Sequence, residues 1–182
     1  MRRIFWFLNK FFMVPLFRLG LGPIFGNPFT GYIMVLKIIG RKTGKLRFAP
    51  VNYAILDGKV YCVSGFRKVS DWYANLRANP AIEVILPGGT IAGTATVATD
   101  PAAKIKMIRK IFQAAGFAGF FEGFNPFRIS DEELALRTAD IPLICIQPNG
   151  LGSGASDPGG WAWIWAPISI LVFILALRLI FR

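Results

Sequence analysis

Four cations crowd the segment GRKTGKLRFAP, Gly40 to Pro50: Arg41, Lys42, Lys45 and Arg47, with Thr43 among them and Gly40 and Gly44 as hinges. Guanidinium and ammonium groups at this density suit a polyanion, and a bidentate arginine suits phosphate in particular. The glycines would let backbone N–H groups around Gly40–Gly44 close on such an anion beside Arg41, Lys42 and Thr43. The segment is not a P-loop, because the GxxxxGK[ST] spacing is absent and no helix follows. On the residues alone three readings stay open: a phosphate site, a solvated turn between two strands, and a nucleic-acid contact. The third lacks aromatic residues interleaved with the basic ones, which a stacking platform needs.

Other chemistry is restricted by composition. The 182 residues include no histidine, which removes the commonest general base and metal ligand. The two cysteines, Cys62 and Cys145, lie in the apolar runs VYCVS and LICIQ and read as buried thiols, with no metal site or disulfide framework expected. Net charge is +11, and no acidic residue precedes Asp57. That field favours anionic partners: phosphates, polycarboxylates, nucleic acid or an acidic membrane face. Hydrophobic residues make up 54% and mean hydropathy is +0.49. Both are high for a soluble chain, so part of this one is expected to meet lipid.

The elements that must position the basic segment are strands. Tyr32–Ile39 is nearly all apolar, as for a strand covered on both faces. Phe48–Leu56 and Lys59–Ser64 flank Asp57–Gly58, a two-residue hairpin signal. DWYANLRANP reads as a short helix capped by Asp71 and stopped at Asn79–Pro80. Ala81–Leu86 and Thr90–Ala98 alternate around PGGT, predicting a second hairpin with a three- or four-residue loop. A helix follows, capped by Thr99 or Asp100, with Ile105, Ile108, Ile111 and Phe112 on one face. Ser130–Glu133 is a capping box for another, and IPLICIQP is a last strand. About six strands with tandem hairpins and no βαβ rhythm predict a mainly-β or α+β domain, a small antiparallel barrel with a few short helices.

The expected organisation has four parts. Residues 1–28 form an amphipathic segment, rich in aromatic and basic residues, that suits either a lipid interface or the domain's own core; Pro15 and the glycines from Gly20 should kink and end it. Residues 29–148 form the domain, and 149–160 a polar linker. Residues 161–182 carry no charge from Trp161 to Leu177, with tryptophans at one end and Arg178 and Arg182 at the other. They predict a C-terminal transmembrane helix, a single-pass cell-membrane anchor with the domain on the cytoplasmic side.

Taken together, IIGRKTGKLRFAPVNYAILDGKVYCVSGF and DWYANLRANPAIEVIL closely resemble the deazaflavin-dependent nitroreductase and quinone reductase family over about Phe29 to Pro148. The resemblance implies a split β-barrel, of the kind that binds FMN or the deazaflavin coenzyme F420. It implies that Arg41, Lys42, Thr43, Lys45 and Arg47 meet the coenzyme phosphate, and that Pro50, Val51 and Asn52 line the ring pocket. Ser64 and Gly65 would lie beside the ring, and Trp72, Tyr73 and Asn75 would close over it. Relatives often carry a lysine just after the serine; here Gly65 and Phe66 come first, then Arg67 and Lys68. The implied function is oxidoreductase: hydride passes from reduced F420 to a quinone or another apolar, nitro- or enone-like acceptor, menaquinone among them, at a lipid bilayer. Hydroxyls of Ser64, Tyr53 or Tyr73 are the candidates to hydrogen-bond an acceptor carbonyl. The run GFAGFFEGFNPFR, Gly116 to Arg128, replaces the family's usual tyrosines with phenylalanines and reads as an apolar mouth, with Glu122 its one acid. An FMN-dependent reductase and a non-catalytic carrier of cofactor or lipid are the alternatives.

Overall fold

Residues 7–65, 69–153 and 164–180 are described by the computed structural model. The apolar run predicted to be covered on both faces is β1, Ile33–Ile39. Met34, Leu36 and Ile38 point inward, while Val35 packs outward beneath the N-terminal helix. The other strands are β2 (Leu46–Leu56), β3 (Lys59–Val63), β4 (Ala81–Leu86), β5 (Gly89–Val97) and β6 (Leu143–Leu151). They close an antiparallel barrel in the order β1-β2-β3-β6-β5-β4. Closure leaves the sheet no unpaired edge along most of its length.

Three apolar clusters hold the barrel and its helices together. The interior is filled by Met34, Leu36, Ile38, Cys62, Val84, Ile144 and Ile146, with Leu76 of α3 (Asp71–Ala78) as a plug. Burial pushes the Cys62 thiol pKa up, so it stays protonated. Outside β1 and β4, Val14 and Phe17 of α1 (Val14–Arg18) pack on Val35 and Ile85. Outside β3 and β6, Met107, Ile108, Ile111 and Phe112 of α4 (Pro101–Ala114) pack on Val63 and Leu143, joined by Leu134 of α5 (Asp131–Arg137). The predicted apolar face of α4 is the face that packs. The cap of α5 is also as expected: Glu133 N–H donates to Ser130 Oγ at 3.1 Å.

The Asp57–Gly58 hairpin has both residues at positive φ, 51° and 70°, as a tight two-residue turn requires. The second hairpin is tighter than expected. Leu86 pairs directly with Gly89, so only Pro87 and Gly88 form the loop. The final strand is longer than its apolar pattern. β6 runs to Leu151, past a register shift near Ala92/Gly93, and Ser153 is then tied down by Glu83. Residues 149–153 therefore belong to the barrel, not to a linker; the rest of the predicted linker lies outside the described residues.

The N-terminal segment splits its roles. A π-helical turn, Asn9–Met13, leads into α1, with Pro15 in its first turn, and a short α2 follows at Gly22–Phe25. The C-terminal half is buried as above, whereas Phe7, Leu8, Phe11 and Phe12 stay exposed. At the other end α6, Trp165–Ile180, has 16 residues, about 24 Å of helix at 1.5 Å per residue. Among the described residues no helix is long and apolar enough to cross a membrane. The predicted transmembrane span is thus not supported, because roughly 20 apolar residues are needed and the described helix falls short; Trp161, Trp163, Phe181 and Arg182 lie outside the described residues.

One ion pair braces the barrel seam. Lys37 of β1 lies opposite Glu83 of β4, and Lys37 Nζ donates to Glu83 Oε2 at 2.8 Å and to Ser153 Oγ at 2.9 Å. Desolvation pushes the Glu83 carboxyl up, but hydrogen bonds from Lys37 and Ser153 outweigh it and leave its pKa lowered. A lowered folded-state pKa means stabilisation that is present above the ordinary value of 4.5 and lost as pH falls through the folded value. Glu83→Gln is expected to cost about 2 kcal/mol, a fall in Tm of roughly 4–8 °C at neutral pH. Thermal melts from pH 7 downward should show the gap between the two proteins closing below the ordinary carboxylate range.

Candidate active site

The basic turn joins β1 to β2 at one end of the barrel. It is built to hold itself: Gly40 N–H donates to Lys45 O at 2.9 Å, and Thr43 and Gly44 N–H both donate to Gly40 O. Gly44 sits at φ +65°, where glycine closes the turn without strain. Lys45 N–H reaches Thr43 Oγ1 at 3.4 Å and Arg41 N–H reaches Asn75 Oδ1 at 3.2 Å. Most amides of the turn are therefore committed internally. Few backbone N–H groups of the turn are left over for the expected phosphate cradle.

The turn's side chains divide into two kinds. Arg41 clamps the turn onto α3: Nη1 donates to Asn75 Oδ1 at 2.8 Å and to Asp71 O at 3.2 Å, and Nη2 donates to Asp71 Oδ1 at 3.2 Å. Lys42, Lys45 and Arg47 are exposed, and among the described residues none of their side chains has a hydrogen-bond or ion-pair partner. Thr43 is exposed too, its hydroxyl serving the turn. Asn75 is buried and acts on Arg41, fixing the direction of the guanidinium. The sequence pattern makes Asp71 the expected helix cap. The cap position is in fact Ser70, and Asp71 stands in the first turn as Arg41's counter-ion.

Beyond Arg47, β2 carries Pro50, Val51 and Asn52, all half-buried. Pro50 and Asn52 are register partners of Val35 and Ile33 on the outer face, while Val51 and Tyr53 pack toward the interior. Asn52 Nδ2 donates to Tyr32 O at 3.3 Å, and Tyr32 N–H donates to Ala114 O at 2.8 Å, which joins this end of β2 to the end of α4. Burial, and secondarily Tyr32, raises the Tyr53 pKa, so its phenol stays a proton-bearing donor through neutral pH.

Of the three hydroxyl candidates, Ser64 and Tyr73 are buried. Ser64 is fully buried and its Oγ donates to Ser70 Oγ at 2.8 Å. Tyr73 is buried in the barrel cluster, edge-on to the half-buried Trp72 with ring centroids 6.3 Å apart. Tyr53 is half-buried. Gly65 is exposed, and Glu122 Oε1 lies 3.9 Å from where a Cβ on Gly65 would stand. The glycine thus brings the phenylalanine-rich segment beside the strand end, a proximity that no sequence spacing announces. Phe66, Arg67 and Lys68 lie outside the described residues. A cavity of about 400 Å³ lies elsewhere, lined by Tyr73, Arg77, Lys104, Asp140 and Pro142 among others. Tyr73 and Arg77 belong to a different face of α3 from Asp71 and Asn75.

The profile of the F420H(2)-dependent quinone reductase family matches residues 18–117, and the chain belongs to that family. It is an F420-dependent oxidoreductase, and its coenzyme is F420. Similar solved structures include an F420-H2 dependent reductase, FDR-A, at 22% identity over 63% of this chain and 92% of that one, TM-score 0.43. An F420 reductase matches at 18% identity over 69% and 91%, TM-score 0.43. HutZ, the heme storage protein from Vibrio cholerae, matches at 13% identity over 78% and 92%, TM-score 0.48.

The residues present fit that coenzyme. F420 is anionic at its phosphate and acidic tail, and three exposed cations whose side chains have no partner among the described residues stand around a turn that Arg41 holds on α3.

Proposed function

We propose that reduced F420 lies along β2, with its phosphate at Lys42, Lys45 and Arg47, Arg41 and Thr43 holding the turn, and its ring over Pro50, Val51 and Asn52 toward Gly65. The observation that carries this reading is the polarity of β2. One end is cationic, the other meets the aromatic segment, and Leu46 to Asn52 spans about 20 Å. An elongated coenzyme, charged at one end and flat at the other, matches that layout. When bound it supplies hydride, and no nucleophile or metal need come from the protein. Trp72, Tyr73 and Asn75 contribute by position, packing α3 against the barrel and aiming Arg41. Ser64 supports the same helix start through Ser70.

The acceptor in this reading is a quinone of the menaquinone type, reached at a lipid surface on the cytoplasmic face of the cell membrane. The family name motivates the quinone. The exposed apolar residues of α6 and of the N-terminal segment motivate the membrane. Holding enzyme and lipid-confined acceptor on one surface raises their effective concentration. Hydride transfer to a quinone needs one added proton to give the hydroquinone. In this reading Glu122, beside Gly65, delivers it. Glu122→Gln should lower kcat by on the order of 100-fold while F420 affinity stays as it was; equal kcat in the variant would remove Glu122 from the role. The acceptor is tested by mixing the protein with reduced F420 and a panel of quinones, nitroaromatics and enones. Turnover confined to the last two classes would defeat the quinone reading.

A further inference from the structure

Phe29, Phe117, Phe120, Phe121 and Phe127 are all exposed, Phe29 by 79% and Phe127 by 62%. They fall into two ring pairs on one segment, with Phe29 bonded to its start. Phe117 and Phe121 rings meet at 5.8 Å, Phe120 and Phe127 at 6.4 Å, and Phe117 N–H donates to Phe29 O at 3.2 Å. Taking about 200 Å² for a phenylalanine side chain, the cluster presents on the order of 600 Å² of apolar surface, at or beyond the largest patch of an ordinary soluble monomer. The backbone beneath is rigid. Arg109 ties the segment down by donating to Pro126 O, Ile129 O and Asp131, Gln113 donates to Pro126 O, and Phe124 packs against buried Phe112 at 5.2 Å. These rings are held out in water by a fixed frame.

We propose that this phenylalanine cluster is a lipid-insertion surface: it docks into the headgroup–acyl boundary of a bilayer, so that the acceptor mouth beside Gly65 and Glu122 opens against lipid. This rests on the membrane reading above and adds which face of the barrel meets the bilayer. Several observations favour lipid over a second copy of the chain. The rings are phenylalanines, which lack the polar handle that suits a wet protein interface. Exposed Arg128 follows Phe127 directly and suits headgroup phosphates. Two of the three acids opening α5 are neutralised, Asp131 by Arg109 at 2.6 Å and Glu133 by Arg137 at 2.8 Å. A second apolar element, α6, also leaves Ile170, Leu171 and Val172 exposed, so the chain presents lipid-compatible surface in more than one place.

The test places one cysteine at a time in the full-length Cys145→Ser protein, as Phe29→Cys, Phe127→Cys and, away from the cluster on β5, Thr96→Cys. Cys62 is buried and unavailable to reagent. Each protein is labelled with a nitrobenzoxadiazole dye and mixed with vesicles of phosphatidylcholine and phosphatidylglycerol. Emission at positions 29 and 127 is expected to rise several-fold and shift to the blue on vesicle addition, with position 96 unchanged. An independent variant, Phe29→Ser with Phe127→Ser, is expected to lower vesicle partitioning several-fold without moving Tm. If the protein pellets with vesicles while both probes keep their aqueous emission, the insertion face is wrong and the membrane reading stands. If it does not pellet at all, both fail. If the probes brighten without vesicles as protein concentration rises, the cluster meets a second copy and the proposal is overturned.

Discussion

Replacing Lys42 and Arg47 together by glutamine is expected to weaken F420 binding on the order of 100-fold, with little change in Tm. Each side chain is exposed, and among the described residues neither has a protein partner, so nothing in the folded barrel depends on its charge. Each charge-assisted hydrogen bond to a phosphate contributes about 1.5–3 kcal/mol. Solvent screening at an open turn places the pair toward the lower end, and about 2.8 kcal/mol corresponds to a factor of 100. Affinity of the parent protein should fall with added salt more steeply than that of the variant, because fewer charges remain to be screened. Arg41→Gln should behave otherwise. It removes the bonds to Asp71 and Asn75 that fix the turn on α3, so stability and affinity should fall together. A fluorescence-quenching titration and a thermal melt on each variant separate the two patterns.

Gly116→Val is expected to produce the largest loss of stability among single substitutions near the site. Gly116 lies at φ +58°, a region that costs a β-branched residue at least 1–2 kcal/mol. A Cβ there would also collide with Phe29 O and Gly31 N, which belong to backbone. The facing Gly31 is equally confined, since its own Cβ would lie 2.5 Å from Ala115 O. The two strands of backbone are interlocked, and valine must part them. Loss of more than about 3 kcal/mol, or a Tm lower by roughly 6–12 °C, should accompany release of the Phe29–Phe117 contact. Gly123→Val is the control. Its φ is +78°, yet nothing lies within 4 Å of its Cβ, so only the local strain of about 1–2 kcal/mol applies. Equal Tm losses in the two variants would show that the interlock carries nothing.

Much of this architecture is legible in the chain because its signals are local. Alternation marks the strands, Asp57–Gly58 marks a tight hairpin, and the serine and glutamate at 130 and 133 mark a helix start. The boundaries that escape are those set by pairing. β6 continues to Leu151 because β5 offers partners there, although Asn149 and Gly150 look like linker. Lys37 interrupts an apolar run and looks like a misplaced charge until β4 brings Glu83 opposite it, 46 positions along the chain.

The site divides in the same way. Lys42, Lys45 and Arg47 are evident from charge density, and their exposure agrees with a binding role. Asn75 and Ser64 sit in motifs that mark them out, but their work is a step removed: Asn75 orients Arg41, and Ser64 is bonded to the cap position of α3. A motif reports that a residue is placed near function; only the direction of its side chain tells what it touches. In the sequence Asp71 reads as a cap and Glu122 as a lone acid. Their partners, Arg41 and Gly65, come from loops 30 or more residues away in the chain, and no periodicity encodes such a meeting.

The central claim is that coenzyme bound along β2 hands hydride to a quinone presented at the aromatic end of that strand. Its most direct test is anaerobic single-turnover mixing of the full-length protein, loaded with reduced F420, with a menaquinone analogue in vesicles. The account predicts one hydroquinone formed for each coenzyme reoxidised, at a rate that drops in the Glu122→Gln protein. Bound reduced coenzyme that persists unchanged in the presence of every quinone offered would contradict it.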